Sequence, residues 1–192
     1  SDVDPGAGRP PPKNKNKTPD PLAPEAPLIF AFSPLVGSPL TTSAKFAVVS
    51  LSPLTGRFND SLASSGFAVA GKEAGGDAIV IVGRAEKLSV LVIDDGQVRI
   101  EPADDVAGDS CPMTEEKLRV RLGANYRIAS IGPAGERAVR YATISHDGRH
   151  AGRGGSGAVL GSKNIKAIAV RGTQRCEWAH PRELVALSRD LS

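Results

Sequence analysis

The sequence is poor in aromatic residues, in cysteine and in long apolar runs, and each shortage excludes a class of protein. Aromatic side chains make up 4% of the 192 residues, too few for the stacking surfaces of a single-strand nucleic-acid binder. The two cysteines, Cys111 and Cys176, belong to no CxxC or Cys/His cluster, so the chain carries no zinc or iron–sulfur ligand set of its own. We therefore expect two unpaired cytosolic thiols, no metal ligands and no nucleic-acid partner.

The absence of an apolar segment of membrane-spanning length bears on location. No run approaches the roughly 20 apolar residues that such a helix needs, and the N-terminus lacks the pattern of a secretory signal. We therefore predict a cytoplasmic protein without a membrane partner.

The net charge is only +3, and part of the basic excess lies in a leader over residues 1–26, SDVDPGAGRPPPKNKNKTPDPLAPEA. Its prolines, glycines and charges offer little to bury, so we expect this leader to be disordered.

From Pro27 onward, short apolar runs alternate with turn residues. PLIFAF, KFAVVS, DAIVIVG and KAIAVRG are typical of buried strands, and LSVLVIDDGQVRIEP predicts a hairpin around Asp95 and Gly96. Short helices are predicted over residues 64–76 and 114–122, and further strands over 124–131 and 140–145. Strands in hairpins and meanders, with brief helices between them, favour an α+β fold.

One short pattern occurs twice. SPLVG begins at Ser33 and SPLTG begins at Ser52, each directly after a strand-like run. A short internal duplication would explain the pair. Two similar turns would explain it equally well, because proline is common in turns.

Five glycines fall within HAGRGGSGAVLG, residues 150–161, directly ahead of an apolar run. Glycine permits positive φ and removes side chains that would hold a ligand away, and consecutive backbone N–H groups can bind an anion. Arg153 adds a planar guanidinium suited to phosphate. The same residues also fit a tight structural loop with an exposed arginine. A dinucleotide-binding G-x-G-x-x-G is a weak alternative, because about eight residues before the next strand leave no room for a crossover helix.

Four segments of the chain combine into a specific pattern. They are IGPAGE, AGRGGSGAVLGSKNIKAI, SPLTTSAKFAVVSLSPLTG and GGDAIVIVGRAEKLSVLVIDDGQVRIEPADDVAG, within about residues 21–172. This pattern resembles the N-terminal domain of the aldehyde ferredoxin oxidoreductase family, tungsten or molybdenum enzymes with a bis-pyranopterin cofactor. The resemblance implies an α+β fold of two related half-domains, with mixed or antiparallel sheets and short helices, whose sheets cradle the cofactor. It places this domain at residues 27–172 and the start of a truncated helical domain at 173–192.

The resemblance also implies cofactor contacts. In the family, the phosphates of two pterins share a magnesium ion, and backbone around an AGRGG motif contacts the cofactor; the matching residues are Ala151, Gly152, Arg153, Gly154 and Gly155. Lys45 occupies the position of a basic cofactor contact that is more often arginine. In NDSLASSG, the candidates for holding magnesium and pterin are Asp60, Ser61, Ser64 and Ser65. Each of these serines could instead cap a helix.

The activity that the resemblance implies is oxidation of an aldehyde to a carboxylate, with electrons leaving through an iron–sulfur cluster to ferredoxin. The metal carries the hard chemistry, while Arg153 and Lys45 offset cofactor phosphate charge. The family's cluster cysteines and its aldehyde-handling residues lie beyond this domain. We therefore predict a fragment with no catalytic residues of its own, inactive without its C-terminal domains or a partner subunit. The alternative is a non-catalytic domain that binds a pterin or a nucleotide phosphate.

Overall fold

The computed structural model describes residues 19–191, so the predicted disorder of residues 1–18 lies outside the described part. The strands are β1 (Leu28–Phe32), β2 (Lys45–Leu51), β3 (Phe58–Ser64), β4 (Ala78–Ile81), β5 (Ser89–Asp94), β6 (Gln97–Pro102), β7 (Arg127–Ser130), β8 (Ile144–His146), β9 (Arg149–Ala151) and β10 (Ile165–Arg171). The helices are α1 (Gly66–Glu73), α2 (Cys111–Leu122), α3 (Pro133–Glu136), α4 (Ser156–Ser162) and α5 (Pro181–Asp190), with a 3-10 turn at Asp104–Val106. Of these described helices, none is long and apolar enough to cross a membrane.

The strands form two sheets. The first has the order β3-β2-β1-β4 and is antiparallel throughout. The second has the order β6-β5-β10-β7-β8-β9 and is mixed, because β10 runs parallel to β5 while the other neighbours are antiparallel. Two sheets with short helices between their strands are the α+β architecture that the sequence predicted.

The main core joins the two sheets. Phe30 of β1, Phe46 of β2 and Phe67 of α1 are buried, with ring centroids 5.4 to 6.3 Å apart. Residues of β5, β7, β10 and α4 complete this cluster from the second sheet. A second cluster lies on the opposite face of that sheet, against Leu118 of α2. The central strands of the second sheet are therefore buried on both faces, which explains their continuous apolar runs.

Three elements differ from the sequence predictions. DAIVIVG forms β4, but β4 is an edge strand whose residues are exposed or half-buried rather than buried. The strand predicted over residues 140–145 is shifted to β8, because residues 140–143 form a turn that packs against α4. The polar segment FNDSLAS forms β3, a strand that the apolar pattern did not indicate; cross-strand pairing with all of β2 supplies its stability.

The two SPLxG segments adopt the same turn. The Ser33 hydroxyl accepts a hydrogen bond from the backbone N–H of Leu35 at 3.2 Å, and the Ser52 hydroxyl accepts one from Leu54 at 3.2 Å. Each turn ends in a glycine of positive φ, at 85° for Gly37 and 68° for Gly56. Serine, proline and glycine thus play the same local roles in both places.

Residues 19–26, within the predicted leader, lie in turns against the core. Leu22 packs on the main apolar cluster. The carbonyl oxygen of Pro24 accepts hydrogen bonds from the Gly83 N–H at 2.7 Å and from the Lys163 ammonium at 3.1 Å. This segment is therefore tied to the rim of both sheets.

Candidate functional site

The AGRGG loop lies where the edges of the two sheets meet. Ala151 ends β9, and α4 begins at Ser156. Two side chains of β3 hold the intervening residues: the Ser61 hydroxyl accepts a hydrogen bond from the Arg153 N–H at 3.2 Å, and the Asn59 amide donates one to the Arg153 carbonyl at 3.2 Å. The structure thus brings together two predicted segments, NDSLASSG and AGRGG, that lie about ninety residues apart.

Most glycines of this segment serve packing within the protein. Gly154 and Gly155 have φ of 70° and 76°, and a Cβ on Gly155 would lie 1.9 Å from the Arg140 carbonyl oxygen. A Cβ on Gly157 would lie 2.5 Å from the Thr143 carbonyl oxygen, and one on Gly161 would lie 1.9 Å from a backbone oxygen of α3. These glycines let backbone approach backbone.

Gly152 and Arg153 form the exposed part of the loop. A Cβ on Gly152 would meet only the Thr143 methyl at 3.6 Å, an ordinary contact, and Gly152 has no positive φ. The Arg153 side chain is exposed and has no hydrogen bond or ion pair to the described residues, although its backbone is held on both sides. The result is an unpaired guanidinium on a fixed backbone, beside a residue without a side chain. Ala151 and Gly155 are buried on either side.

The remaining predicted contacts divide between two faces of the first sheet. Lys45 lies directly opposite Ser64 in the β2–β3 ladder, and both are half-buried on the outer face. Asp60 shares that face but lies four residues along β3, roughly 13 Å from Ser64 at the usual rise of a strand. Ser61 points to the opposite, buried face. Lys45, Ser64 and Asp60 make no side-chain hydrogen bond or ion pair with the described residues.

Ser65 belongs to a buried junction between the two sheets. Its hydroxyl caps α1 by accepting from the Phe67 N–H at 3.1 Å and lies 2.8 Å from Nδ1 of His146. The Asp147 carboxylate also accepts from Phe67 N–H at 3.1 Å and pairs with Arg119 at 3.1 Å. Helix capping, the alternative that the sequence left open for Ser65, is what the structure shows for this hydroxyl.

His146 is fully buried at this junction. Its ring meets that of Phe46 edge-on at 4.9 Å, and Nε2 has no hydrogen-bond partner among the described residues. Burial lowers the pKa of His146 to about 4, an effect that the nearby Asp147 carboxylate only partly offsets. The imidazole is therefore neutral at physiological pH. Asn59 and His146 were missed by the sequence analysis; the only signal for Asn59 was its place in NDSLASSG, and SHDG indicated only a polar turn.

The most specific motif residues outside the loop hold the fold together. Lys166 of the GSKNIKAI motif is buried; its ammonium contacts the Glu136 carboxylate of IGPAGE and donates to the Asp109 carbonyl at 2.8 Å. Lys163 is also buried, which lowers its pKa. These residues connect α3, α4 and β10, and their ammonium groups bond to Pro24, Asp109 and Glu136 rather than to the loop.

The described residues offer no metal site of their own. Between residues 19 and 191, no three His, Cys, Asp or Glu side chains are grouped so that they could hold a metal ion. Cys111 and Cys176 are both free, and burial raises the pKa of the Cys111 thiol. What this site can do is bind: it presents exposed cationic and backbone groups without an acid–base pair.

Comparison with known proteins identifies the family. The sequence profile described as "Aldehyde ferredoxin oxidoreductase, N-terminal domain" matches residues 12–172. The chain belongs to the aldehyde ferredoxin oxidoreductase family. It is 43% identical over 180 residues to the tungsten-containing aldehyde ferredoxin oxidoreductase of Pyrococcus furiosus and 45% identical over 175 residues to that of Pyrococcus abyssi. The resemblance drawn from the sequence motifs is thereby confirmed.

These relatives are much longer than the matched segment. The alignments cover 93% and 89% of this chain but only 30% and 28% of the two archaeal proteins. Among solved structures, the active-site complex BamBC of benzoyl coenzyme A reductase, in complex with 1,5-dienoyl-CoA, matches with a TM-score of 0.86 and 36% identity, covering 88% of this chain and 26% of the solved chain. The chain therefore corresponds to the N-terminal part of longer oxidoreductases.

Proposed function

We propose that this chain is the cofactor-binding N-terminal domain of a tungsten-dependent oxidoreductase, and that its AGRGG loop binds the phosphate end of a pyranopterin. The observation that carries the proposal is the Arg153 guanidinium, which is exposed and has no partner within residues 19–191, on a backbone that Ser61 and Asn59 clamp from β3. A guanidinium offers five N–H donors in a planar fork that matches phosphate. The family match over residues 12–172 supports the assignment.

The residues present fit such a group. Gly152 is exposed, and a phosphate could approach its backbone because no side chain intervenes. No hydrogen bond within residues 19–191 engages the backbone N–H groups of Gly152 and Gly154, so both are available to an anion. Among residues 19–191, Arg153 has no carboxylate partner that would compete with a phosphate for its charge.

A second group of residues completes the proposed site. Lys45 and Ser64 are neighbours on the outer face of the first sheet and would contact the cofactor from that face. Ser61 and Ser65 would act indirectly, Ser61 by holding the loop and Ser65 by capping α1. Asp60 is exposed and carries a carboxylate of the kind that binds magnesium. Asp60 would hold the magnesium ion that accompanies the cofactor.

The protein's part in the reaction is binding and orientation. The metal and its pterins supply the two-electron chemistry by which an aldehyde becomes a carboxylate. Arg153 and Lys45 counter the charge of the phosphates, and the β3 clamp fixes where that charge lies. We assign the iron–sulfur cluster, its cysteine ligands, the residues that handle the aldehyde and the ferredoxin surface to parts outside this chain, because the chain spans only 30% of the Pyrococcus furiosus relative; we expect the 192-residue chain alone not to turn over.

Substrate choice does not reside in this domain. The domain is similar both to enzymes named for aldehydes and to a benzoyl coenzyme A reductase complex. A shared fold hosts different functions, so the likeness of this domain to both does not by itself fix a substrate. We therefore assign the loop to the cofactor and the choice of substrate to the remaining domains.

Co-purification tests this proposal. The chain is co-expressed in a tungstate-supplied host with the remaining polypeptide of the Pyrococcus furiosus relative, and the complex is purified through a tag on this chain. We expect tungsten by elemental analysis and pterin fluorescence after oxidation. A complex that forms but contains neither tungsten nor molybdenum nor pterin would support the non-catalytic alternative instead.

A further inference from the structure

The β8–β9 hairpin, which leads directly into the AGRGG loop, is short. Each of its strands has three residues, and Asp147 and Gly148 join them with φ of 46° and 70°. Positive φ at both turn residues is typical of a type I′ turn, for which Asp-Gly is a favoured pair. Two residue pairs connect β8 to β7. Because a hairpin of this length is marginally stable by itself, contacts outside its ladder must help to hold it in place.

The Asp147 carboxylate contacts three other elements at once. Its Oδ2 atom accepts a hydrogen bond from the Phe67 N–H, in the first turn of α1, at 3.1 Å. Its Oδ1 atom lies 3.1 Å from the guanidinium of Arg119 in α2 and 3.6 Å from that of Arg127 in β7. The side chain is only 16% exposed, so salt and water screen these contacts weakly. The carboxylate therefore ties α1, which follows the first sheet's edge strand, to two elements of the second sheet.

The start of α1 is built to receive this carboxylate. The first turn of α1 contains no acidic residue, and a negative charge near the N-terminus stabilises a helix. Gly66 lets Arg127 lie across the helix start, since a Cβ on Gly66 would stand 3.0 Å from the Arg127 Nε. His146, the residue before Asp147, lies 2.8 Å from the Ser65 hydroxyl that caps the same helix. Two consecutive residues of the hairpin thus hold the start of α1.

We propose that Asp147 is a positioning residue for Arg153, an inference that rests on the proposed function. Ser61 and Asn59 of β3 already bind the Arg153 backbone. The chain continues from β3 directly into α1, and Asp147 binds the start of α1 two residues before β9 begins. The path from β3 to α1, through Asp147 to β9 and the loop, and back to β3 is therefore a closed ring of contacts. Asp147 closes this ring.

The ring fixes the proposed cofactor contacts relative to one another. Ser64 ends β3 and faces Lys45 in the ladder, so this pair lies beside the start of α1. Arg153 lies on the loop that follows β9. Because Asp147 binds the same helix start, it holds the hairpin at a set distance from Ser64. Without the carboxylate, the placement of Arg153 would depend on the β3 bonds and the His146 contact alone.

Amide hydrogen exchange, measured by NMR on the full 192-residue chain, tests the anchoring of the loop. Asp147→Asn keeps a side-chain oxygen that can accept from the Phe67 N–H, and asparagine tolerates positive φ. The substitution removes the negative charge that Arg119 and Arg127 bind. We expect exchange of the Arg153 amide to become at least several-fold faster.

The matched control is the same substitution at another carboxylate that pairs with an arginine. Asp105 lies 2.7 Å from the Arg121 guanidinium and belongs to no part of the ring. Asp105→Asn should leave exchange of the Arg153 amide unchanged. Arg127→Gln removes one partner of Asp147 at a half-exposed position and should speed that exchange to a smaller extent. This second variant provides the same test if Asp147→Asn does not fold.

Cofactor content separates positioning from a purely structural role. In the co-expressed complex, Asp147→Asn should lower tungsten and pterin per complex at least several-fold, and Asp105→Asn should retain the wild-type content. A role in stability alone would lower the urea midpoint of both variants and leave the content of both unchanged. Unchanged exchange of the Arg153 amide in Asp147→Asn, or full tungsten and pterin in that variant, would overturn the inference. A wild-type complex without tungsten, molybdenum or pterin would overturn the proposed function, while the exchange experiment on the free chain would still decide whether Asp147 anchors the loop.

Discussion

The Ser61 hydroxyl of β3 accepts a hydrogen bond from the Arg153 backbone N–H at 3.2 Å. This bond joins β3, the edge strand of the first sheet, to the loop that follows β9, an edge strand of the second sheet. Asn59, two residues earlier on β3, holds the Arg153 carbonyl. The backbone of Arg153 is thus held by the first sheet, although Arg153 follows a strand of the second sheet. Its side chain has no partner in the described part of the chain.

Removing the Ser61 hydroxyl should loosen this link. Ser61→Ala leaves the Arg153 N–H without its partner, and since the loop is exposed, water replaces part of the lost bond. We expect the free energy of unfolding, measured by urea denaturation, to fall by about 1 kcal/mol. Ser64→Ala, whose hydroxyl has no partner among the described residues, should change it by less than about 0.5 kcal/mol. Equal effects of the two changes would argue against the clamp.

The loop's glycines should separate into two classes. Gly155→Ala places a methyl group in a backbone of positive φ and against the Arg140 carbonyl, so we expect a loss of stability of about 2 kcal/mol or more. Gly152→Ala meets only an ordinary contact and should unfold at nearly the wild-type urea concentration. If Gly152→Ala were the more destabilising, the assignment of Gly152 to ligand approach rather than packing would be wrong.

Burial of His146 should make stability depend on pH. The pKa of this imidazole is about 4 in the folded protein against 6.5 for an unperturbed group. The unfolded chain therefore binds the proton first, so stability falls as pH decreases from 6.5 to 4, by roughly 3 kcal/mol in total, and is unaffected by this group above 6.5. Urea titrations should show His146→Gln with a flatter profile over this range.

The buried pair of Lys166 and Glu136 should matter more than exposed ion pairs. Glu136→Ala leaves the Lys166 ammonium buried with only the Asp109 carbonyl as a partner, and such losses are about 3 kcal/mol. Glu101→Gln, in an exposed pair with Arg99, should lower stability by less than about 1 kcal/mol. Thermal denaturation of the two variants compares these losses directly, and a smaller loss for Glu136→Ala would contradict the structural role of IGPAGE.

Local patterns predicted much of the fold. The hairpin around Asp95 and Gly96 and the Ser65-capped helix are confirmed because turn and cap chemistry is local. The polar strand β3 was missed because its stability comes from pairing with β2. The exposure of β4 was missed because an apolar run looks the same in sequence whether or not a neighbouring strand covers it.

The glycine-rich segment shows where motif reasoning reaches its limit. The sequence left open whether its glycines serve a ligand or a tight loop, and both hold at different positions: packing requires Gly155, Gly157 and Gly161, while Gly152 remains open. Which glycines packing requires depends on their contacts with residues 135–143, and the local sequence does not reveal those contacts. Likewise, the contact between Asn59 and Arg153 could not be inferred, because nothing local encodes the meeting of two sheet edges.

Tungsten content after mutation of Arg153 tests the central claim most directly. In the co-expressed complex, Arg153→Ala should lower tungsten and pterin per complex at least several-fold, because a phosphate would lose the guanidinium that we propose as its partner. Arg175→Ala, at an exposed arginine outside the loop, should retain the wild-type content. Both variants should unfold at the wild-type urea concentration. Full tungsten and pterin in Arg153→Ala, or an equal loss in both variants, would contradict the account.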